Sequence, residues 1–306
     1  MIQDVKRAEG PAAVPDMASE AAPALRLQGV AVAYGRRRIL EGVALAVAPG
    51  EVYALLGRNG SGKSSLVRCL LGQQRPAVGR VELLGRDAWR DRAALMREVG
   101  VVAEEPQAPP ELDARRLSRL CGGVHGRWDG AGVGERLRRL GVPLDLPFRR
   151  LSRGQKRQVE LALALGHRPR MLVLDDPSLG LDPLARRALF QEVIGALADT
   201  GVTVLLTSHD LAAVEGIADR VGILHRGRLL LDEELERLKG RYRRLCWRGR
   251  SAASAAAGAV GPVVRRAWGA EAVVDDFGST PVPPDAEAVA MSLEEIFTAV
   301  VGEEAP

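Results

Sequence analysis

The sequence predicts an α/β fold built from parallel strand–helix–strand units. Short apolar runs alternate with segments of helical spacing along much of the 306 residues, a pattern that sets successive strands side by side in one sheet. Two of the runs, "EVYALL" (51–56) and "RMLVLD" (170–175), are nearly continuous in apolar character, as strands covered on both faces are. A glycine-rich turn, "GRNGSGKS" (57–64), lies between the first run and a helical segment.

In chain order, "LRLQGVAVAY" (25–34) reads as a strand with near-alternating apolar residues. "EVYALL" is bounded by Gly50 and Gly57 and reads as a buried strand. "KSSLVRCLLG" (63–72) has helical spacing and stops at Gly72. "RVELLG" (80–85) and "VGVVA" (99–103) are further short strands. Residues of about 108–150 are rich in Arg and Leu and broken by glycines, and read as a helical insert. "GQKRQVELALALGHRP" (154–169) reads as a helix ending before Pro169, "RMLVLD" as a buried strand, "LARRALFQEVIGALADT" (184–200) as an amphipathic helix and "VTVLLT" (202–207) as a strand.

After about residue 240 the character changes. "GRYRRLCWRGR" (240–250) is basic, 251–262 is rich in Ala and Gly, 278–287 is rich in Pro, and "SLEEIFTAVVG" (292–302) is helical again. The expected organisation is a disordered leader (1–24), one domain (25–240) and a small C-terminal appendage (241–306). The leader carries charges and prolines without the apolar stretch of a signal peptide.

Hydrophobic residues make up 46% of the chain but aromatics only 4%, so its core is expected to be mostly Leu, Val and Ala. Only four of the 43 basic residues are lysine, which makes Lys63 conspicuous. A net charge of +4 permits contact with anionic partners without demanding it. The cysteines, Cys69, Cys121 and Cys246, are scattered, which argues against a disulfide framework or a zinc site. No run reaches the roughly 20 apolar residues that cross a bilayer. A soluble, cytoplasmic chain is expected.

The chemistry concentrates at the glycine-rich turn. Residues 57–64 fit G-x-x-x-x-G-K-[ST] between an apparent strand and an apparent helix, the context that gives the motif meaning. Glycines let the loop wrap so that backbone N–H groups point at phosphate, and the helix N-terminus adds a positive end. Gly57, Arg58, Asn59, Gly60, Ser61, Gly62, Lys63, Ser64 and Ser65 are the expected nucleotide contacts. Lys63 reaches the β and γ phosphates, and Ser64 offers a hydroxyl to Mg²⁺. Such a loop needs a metal-holding carboxylate at a neighbouring strand end, and Asp175 ends "MLVLD". These two motifs alone give only a P-loop NTPase with Mg²⁺.

Three further motifs and one aromatic narrow the reading. "LSRGQKRQ" (151–158) resembles the LSGGQ signature of ATP-binding cassette (ABC) proteins, "SLGLD" (178–182) their D-loop and "TSHD" (207–210) their switch-histidine loop. Tyr34 lies 23 residues ahead of Gly57, where the family stacks an aromatic on adenine. The resemblance spans roughly 25–240. It implies a P-loop NTPase core of ABC type with an N-terminal antiparallel β subdomain, a helical insert and a small C-terminal appendage. It further implies that the nucleotide is ATP, that Ser152, Gly154 and Gln155 contact the γ-phosphate held by a second ATPase subunit, that His209 bonds the γ-phosphate, and that Gly180 and Asp182 couple the two sites.

Three departures stand out. Arg153 replaces a signature glycine, Glu104 stands where the Q-loop glutamine is usual, and Asp176 replaces the usual catalytic glutamate. Glu104 still accepts a metal-bound water, and Asp176, one methylene shorter than the usual glutamate, is the expected hydrolytic carboxylate with reduced turnover; His209 and Glu104 are the other catalytic candidates. "GRWDG" (126–130), "ADRVGILHRGRLLLDEELERL" (218–238) and "SLEEIF" (292–297) resemble the bacterial ABC-2-type exporter branch. The expected function is therefore an ATP-hydrolysing energy-coupling subunit, peripheral on the inner face of the cell membrane, that drives a separate integral permease. The alternatives are a regulatory subunit with weak turnover, or a soluble ABC ATPase acting on nucleic acid or the ribosome. Nucleic acid rests only on Arg241, Arg243, Arg244, Arg248 and Arg250 interleaved with Tyr242 and Trp247, and is the less favoured partner.

Overall fold

The computed structural model describes residues 22–248, 259–266, 268–279 and 286–302; most of the expected leader, and parts of the Ala/Gly-rich and Pro-rich stretches, lie outside them. The centre is a six-stranded sheet of β3 (Val52–Leu56), β6 (Val99–Val102), β7 (Met171–Asp175), β8 (Thr203–Ser208), β9 (Arg220–His225) and β10 (Arg228–Glu234). Its order is β10-β9-β3-β8-β7-β6, parallel throughout except for β10, which returns antiparallel on β9. All of β3 and β8 is buried, and β7 is buried until Asp175. Their apolar character is continuous because helices or a second sheet cover both faces.

The second sheet is antiparallel and N-terminal: β1 (Leu25–Tyr34), β2 (Arg37–Val47), β4 (Val78–Leu83) and the two-residue β5 (Arg86–Asp87), in the order β2-β1-β4-β5. Between it and the central sheet lies α1 (Lys63–Leu70), whose Leu66, Val67 and Leu70 share one apolar cluster with Leu27, Leu45, Tyr53, Leu55 and Val173. The opposite face of the central sheet is covered by α5 (Arg153–Leu165) and α6 (Pro183–Thr200). Each helix has a local reason to start where it does. Ser152 and Gln155 form a reciprocal capping box on α5. Asp182 caps α6, whose first residue is Pro183, and Gly201 ends it at φ 63°.

The insert is helical, with α3 (Ala114–Val124), α4 (Gly130–Arg139) and a single 3₁₀ turn at Phe148–Arg150 around a small core of Leu117, Val133, Leu137, Phe148 and Val159. Several links fasten it to the central domain. Asp129 N donates to Gly166 O at 2.7 Å. The His125 and His167 rings stack 4.2 Å apart. Buried Glu192 of α6 pairs with Arg136 and Arg139 of α4, both at 2.8 Å.

The helices α2 (Arg92–Leu95), α7 (Leu211–Glu215) and α8 (Leu235–Arg241) are short connections. The appendage is a third sheet, β11 (Arg243–Arg248), β12 (Ala259–Arg266), β13 (Gly269–Val274) and β14 (Ala286–Ala290) in the antiparallel order β12-β13-β11-β14, closed by α9 (Leu293–Val301). This corrects the reading of the basic run as a nucleic-acid surface. Alternation along β11 turns Leu245 and Trp247 into a core with Ala270, Ala272 and Val274, and Tyr242 is buried as well. Arg241 pairs with Glu233 and Asp275, Arg244 pairs with Glu295, and Arg243 lies over the Phe277 ring. Arg250 and the side chain of Arg248 lie outside the described residues. Buried aromatics cannot stack on bases, and paired arginines have little charge to offer.

Candidate functional site

Strand register gathers the motif residues at one edge. Leu56 of β3 pairs with Ser208 of β8, Thr207 of β8 with Asp175 of β7, and Leu174 of β7 with Val102 of β6. The four parallel strands therefore end together. The loops that follow them carry Gly57–Ser65, Glu104, Asp176 and His209 to one carboxyl edge, the usual place for a ligand in such sheets.

The loop at 57–62 is shaped for close approach. Gly62, the residue ahead of α1, has φ 114°, and a Cβ there would lie 2.6 Å from Leu40 Cδ2. Only glycine fits that backbone and that gap. Lys63 is 8% exposed, and its Nζ donates to the carbonyls of Gly57 at 2.6 Å and Arg58 at 3.3 Å. Burial lowers its pKa, against the opposing fields of Asp176, Asp175 and Glu104. Lys63 is thus held by the loop's own carbonyls, within the electrostatic reach of the carboxylates that the resemblance assigns to the site. Ser64 is half-buried, and Ser65 and Ser61 are buried, the Ser61 hydroxyl having no partner.

The adjacent aspartates do different things. Asp175 Oδ1 accepts from the Thr207 hydroxyl at 2.6 Å, which orients the carboxylate at the strand end. Asp176 turns away in a left-handed backbone conformation, φ 46°, one that Asp tolerates better than most residues. Its N–H donates to Thr207 O at 3.1 Å, and its Oδ2 lies 2.6 Å from His209 Nδ1. With the carboxylate ionised, the ring nitrogen is the donor. Asp176 is 7% exposed and its Oδ1 has no partner, a costly state for a buried carboxylate oxygen. His209 is exposed beside it.

Tyr34 also lies near the loop. It is 48% exposed, and its hydroxyl donates to Gln74 Oε1 at 2.5 Å. Its phenol pKa is lowered, chiefly by a hydrogen bond with Ser65 and further by Arg68. An exposed ring above the start of α1 is free to stack on a planar base.

Ser152, Gly154 and Gln155 are not brought to residues 57–65 within this chain. Ser152 Oγ accepts from Gln155 N at 3.2 Å, and Gln155 Oε1 accepts from Ser152 N at 3.0 Å, on the protein surface. Their neighbours are on the D-loop side: a Cβ on Gly154 would lie 2.9 Å from Ala185 Cβ, and one on Gly180 2.5 Å from Arg153 Nη1. Gly180 has φ 71°, a conformation that favours glycine, while the crowding there comes from the far end of the flexible Arg153 side chain. Asp182, expected to couple sites, accepts from Leu184 N and Ala185 N at 3.0 Å as the cap of α6.

Sequence reasoning missed Thr207, although a hydroxyl on the strand beside Asp175 was its only signal. It also missed Arg157 and Glu160, whose roles need contacts across more than fifty positions. Among the described residues no cluster of three or more His, Cys, Asp or Glu could hold a metal unaided, and no helix is long and apolar enough to cross a membrane. The donor set at the sheet edge fits a phosphate-bound cation all the same: Ser64 follows the buried Lys63, the charges of Asp175 and Asp176 act on that lysine, and Asp176 Oδ1 has no partner.

Comparison with known proteins bears on the same elements. The family model described as ABC transporter matches residues 40–179. The bacitracin transport ATP-binding protein BcrA of Bacillus licheniformis is 30% identical over 213 residues, 69% of this chain and 70% of that protein. The daunorubicin resistance ATP-binding protein DrrA3 of Streptomyces coeruleorubidus is 34% identical over 221 residues, 71% of this chain and 70% of that protein. A solved ATP-binding subunit of an ABC transporter superposes with a TM-score of 0.64 at 29% identity, covering 71% of this chain and 92% of its own. Fold, motif order and relatives agree: this chain belongs to the ABC transporter family as one of its ATP-hydrolysing ATP-binding subunits, and its relatives place it with the exporter branch.

Proposed function

We propose that the chain binds MgATP at the sheet edge, pairs with a second ATPase subunit around two nucleotides and drives an integral membrane permease in the export direction, from the inner face of the membrane. One observation carries this reading: the two aspartates at the end of β7 are already divided, Asp175 held by Thr207 and Asp176 by His209, opposite a buried lysine. Ser64 and Asp175 would hold Mg²⁺, and Glu104 would meet its water. Lys63 and the loop amides would bind the phosphates, with Tyr34 against the base. Bound Mg²⁺ supplies charge neutralisation for phosphoryl transfer.

Asp176 is then the group that orients the attacking water and accepts its proton. His209 orients that carboxylate through its Nδ1 bond, and its Nε2 would donate to phosphate in the imidazolium form, in which both ring nitrogens carry a proton. The exposed Ser152 and the half-buried Gln155 are available to the partner subunit's nucleotide. The cleft beside Glu104–Pro110, between sheet edge and insert, is the proposed seat for the permease.

Lys63→Ala tests the binding step. Removing a charge-assisted contact to phosphate is expected to weaken MgATP binding by about 100-fold or more, read with a fluorescent analogue. Unchanged affinity would sink the assignment. Purification from membranes tests the partner: an integral protein recovered with the chain supports export coupling, and recovery of nucleic acid or ribosomes alone contradicts it.

A further inference from the structure

The signature helix grips the loop that carries Glu104, and it does so with Arg157, near the end of the quoted signature stretch, and Glu160 beyond it. Arg157, on the second turn of α5, is 3% exposed. Its guanidinium donates to the carbonyl of Ala103, the residue just before Glu104. Glu160, one turn on, pairs with Arg157 at 3.2 Å and accepts a hydrogen bond from the backbone N–H of Gln107 at 2.9 Å. Both are on the same face of the helix, three residues apart. The segment 103–107 is therefore held at both ends by one rigid element, while Glu104 and Glu105 between the anchors are exposed.

A buried arginine and a largely buried glutamate are costly to place in a core unless they pair and saturate their hydrogen bonds. Here the two pair with each other, and each carries a second bond that ends on the same loop. Burial raises the Glu160 pKa, against the stabilising effects of the Gln107 N–H and Arg157. A methionine and a leucine would fill this space without that cost. The loop's position is what the pair secures.

Two functional groups stand at either end of this linkage. At the N-terminus of α5 are Ser152 and Gln155, about 8–12 Å along the helix from Glu160 at 1.5 Å per residue. At the other end is Glu104, whose charge acts on Lys63. We infer that Arg157 and Glu160 are positioning residues that set Glu104 against the phosphate loop, and that they make any displacement of the signature helix a displacement of Glu104. This rests on the nucleotide site proposed above. Glu104 would receive, through a helix, news of whether the neighbouring subunit's nucleotide is engaged.

The test uses the full chain and the double variant Arg157→Met/Glu160→Gln, which removes both charges and leaves neither buried without its partner. Amide hydrogen exchange without nucleotide is the first readout. Protection at Gln107 is expected to fall about 10-fold or more, with the amides of α1 unaffected. The second is single-turnover hydrolysis against MgATP affinity. The rate is expected to fall about 10- to 100-fold, as for an ångström-scale misplacement, with affinity within about twofold. The third is the triple variant that adds Glu104→Gln: it should be no slower than Glu104→Gln alone, because the pair acts through Glu104. A purely structural pair would instead lower affinity and rate together, or add its effect to that of Glu104→Gln, and either result overturns the inference. So does a double variant that hydrolyses at the parental rate. A parent chain that fails to bind MgATP overturns the nucleotide reading itself, and the exchange measurement, which needs no nucleotide, tells that failure apart from loss of the tie.

Discussion

At the carboxyl edge of the central sheet, Lys63, Asp175, Asp176 and Glu104 bring opposite charges near one another, and a buried Asp176 oxygen and the Ser61 hydroxyl are left without partners. In the C-terminal sheet, Arg241, Arg243 and Arg244 each end on a carboxylate, a carbonyl or a ring of the same chain. As sequence, both stretches are charge set beside apolar residues. As structure, the first leaves a carboxylate oxygen and a hydroxyl unpartnered among its charges, whereas the second pairs its charges and leaves only the buried Trp247 Nε1, among the described residues of its apolar core, without a partner. Ligand sites are recognised by that remainder more than by charge density.

The widest separation between the two regions is expected from Asp176. Asp176→Asn keeps the size and the left-handed backbone but loses the proton acceptor, so hydrolysis with the membrane partner present is expected to fall about 100- to 10,000-fold while MgATP still binds. Asp176→Glu should keep or raise the rate. If Asp176→Asn turns over as fast as the parent, Glu104 or His209 becomes the candidate base.

On the other side, Trp247→Ala leaves a cavity in the appendage core and is expected to cost the C-terminal sheet about 3–5 kcal/mol, seen by calorimetry or denaturant titration. The nucleotide site should keep its affinity within about twofold. A large loss of MgATP binding in this variant would show that the two regions are not separable.

An intermediate effect is expected at the junction of insert and core. Burial, and then the neighbouring His125 ring, lower the His167 pKa to about 4. Its ordinary value in an unfolded chain is about 6.5. Above that pH both states are neutral. Between about 6.5 and 4 the unfolded state binds more protons, so stability falls as the solution is acidified, and below about 4 the dependence ends. His167→Leu should flatten this part of the stability profile by up to about 3 kcal/mol. A profile identical to the parent's would mean that another group sets it.

The smallest effect tests the basic run. Arg244→Gln should change stability by less than about 1 kcal/mol, since its pair with Glu295 is partly exposed. It should leave binding of a single-stranded oligonucleotide at the parental, weak level. Micromolar binding at physiological salt that disappears in this variant would restore the run as a nucleic-acid surface.

Much of the central fold could be read in the sequence because β3, β7 and β8 are covered on both faces and so read as unbroken apolar runs. The start of β2, "RRILEG", and the whole of β11, "RRLCWR", could not, since each opens on charged residues whose partners are distant in the chain. The phosphate loop could be read because its glycines and lysine are contiguous. The bond between Asp176 and His209, the Thr207 hydroxyl on Asp175, and the grip of Arg157 and Glu160 could not. They depend on how parallel strands align and on which helix lies over which loop, and no local spacing encodes that.

The end of α9 has a practical side. The Gly302 carbonyl accepts a hydrogen bond from Arg58 Nη2 at 3.3 Å, so the final turn of the appendage reaches the first residues of the phosphate loop. Anything genetically fused just after Gly302 starts beside Arg58, at the mouth of the proposed nucleotide site. An affinity tag there risks disturbing the very binding it is meant to help measure, whereas a small environment-sensitive dye at that position would make a direct optical reporter of nucleotide arrival.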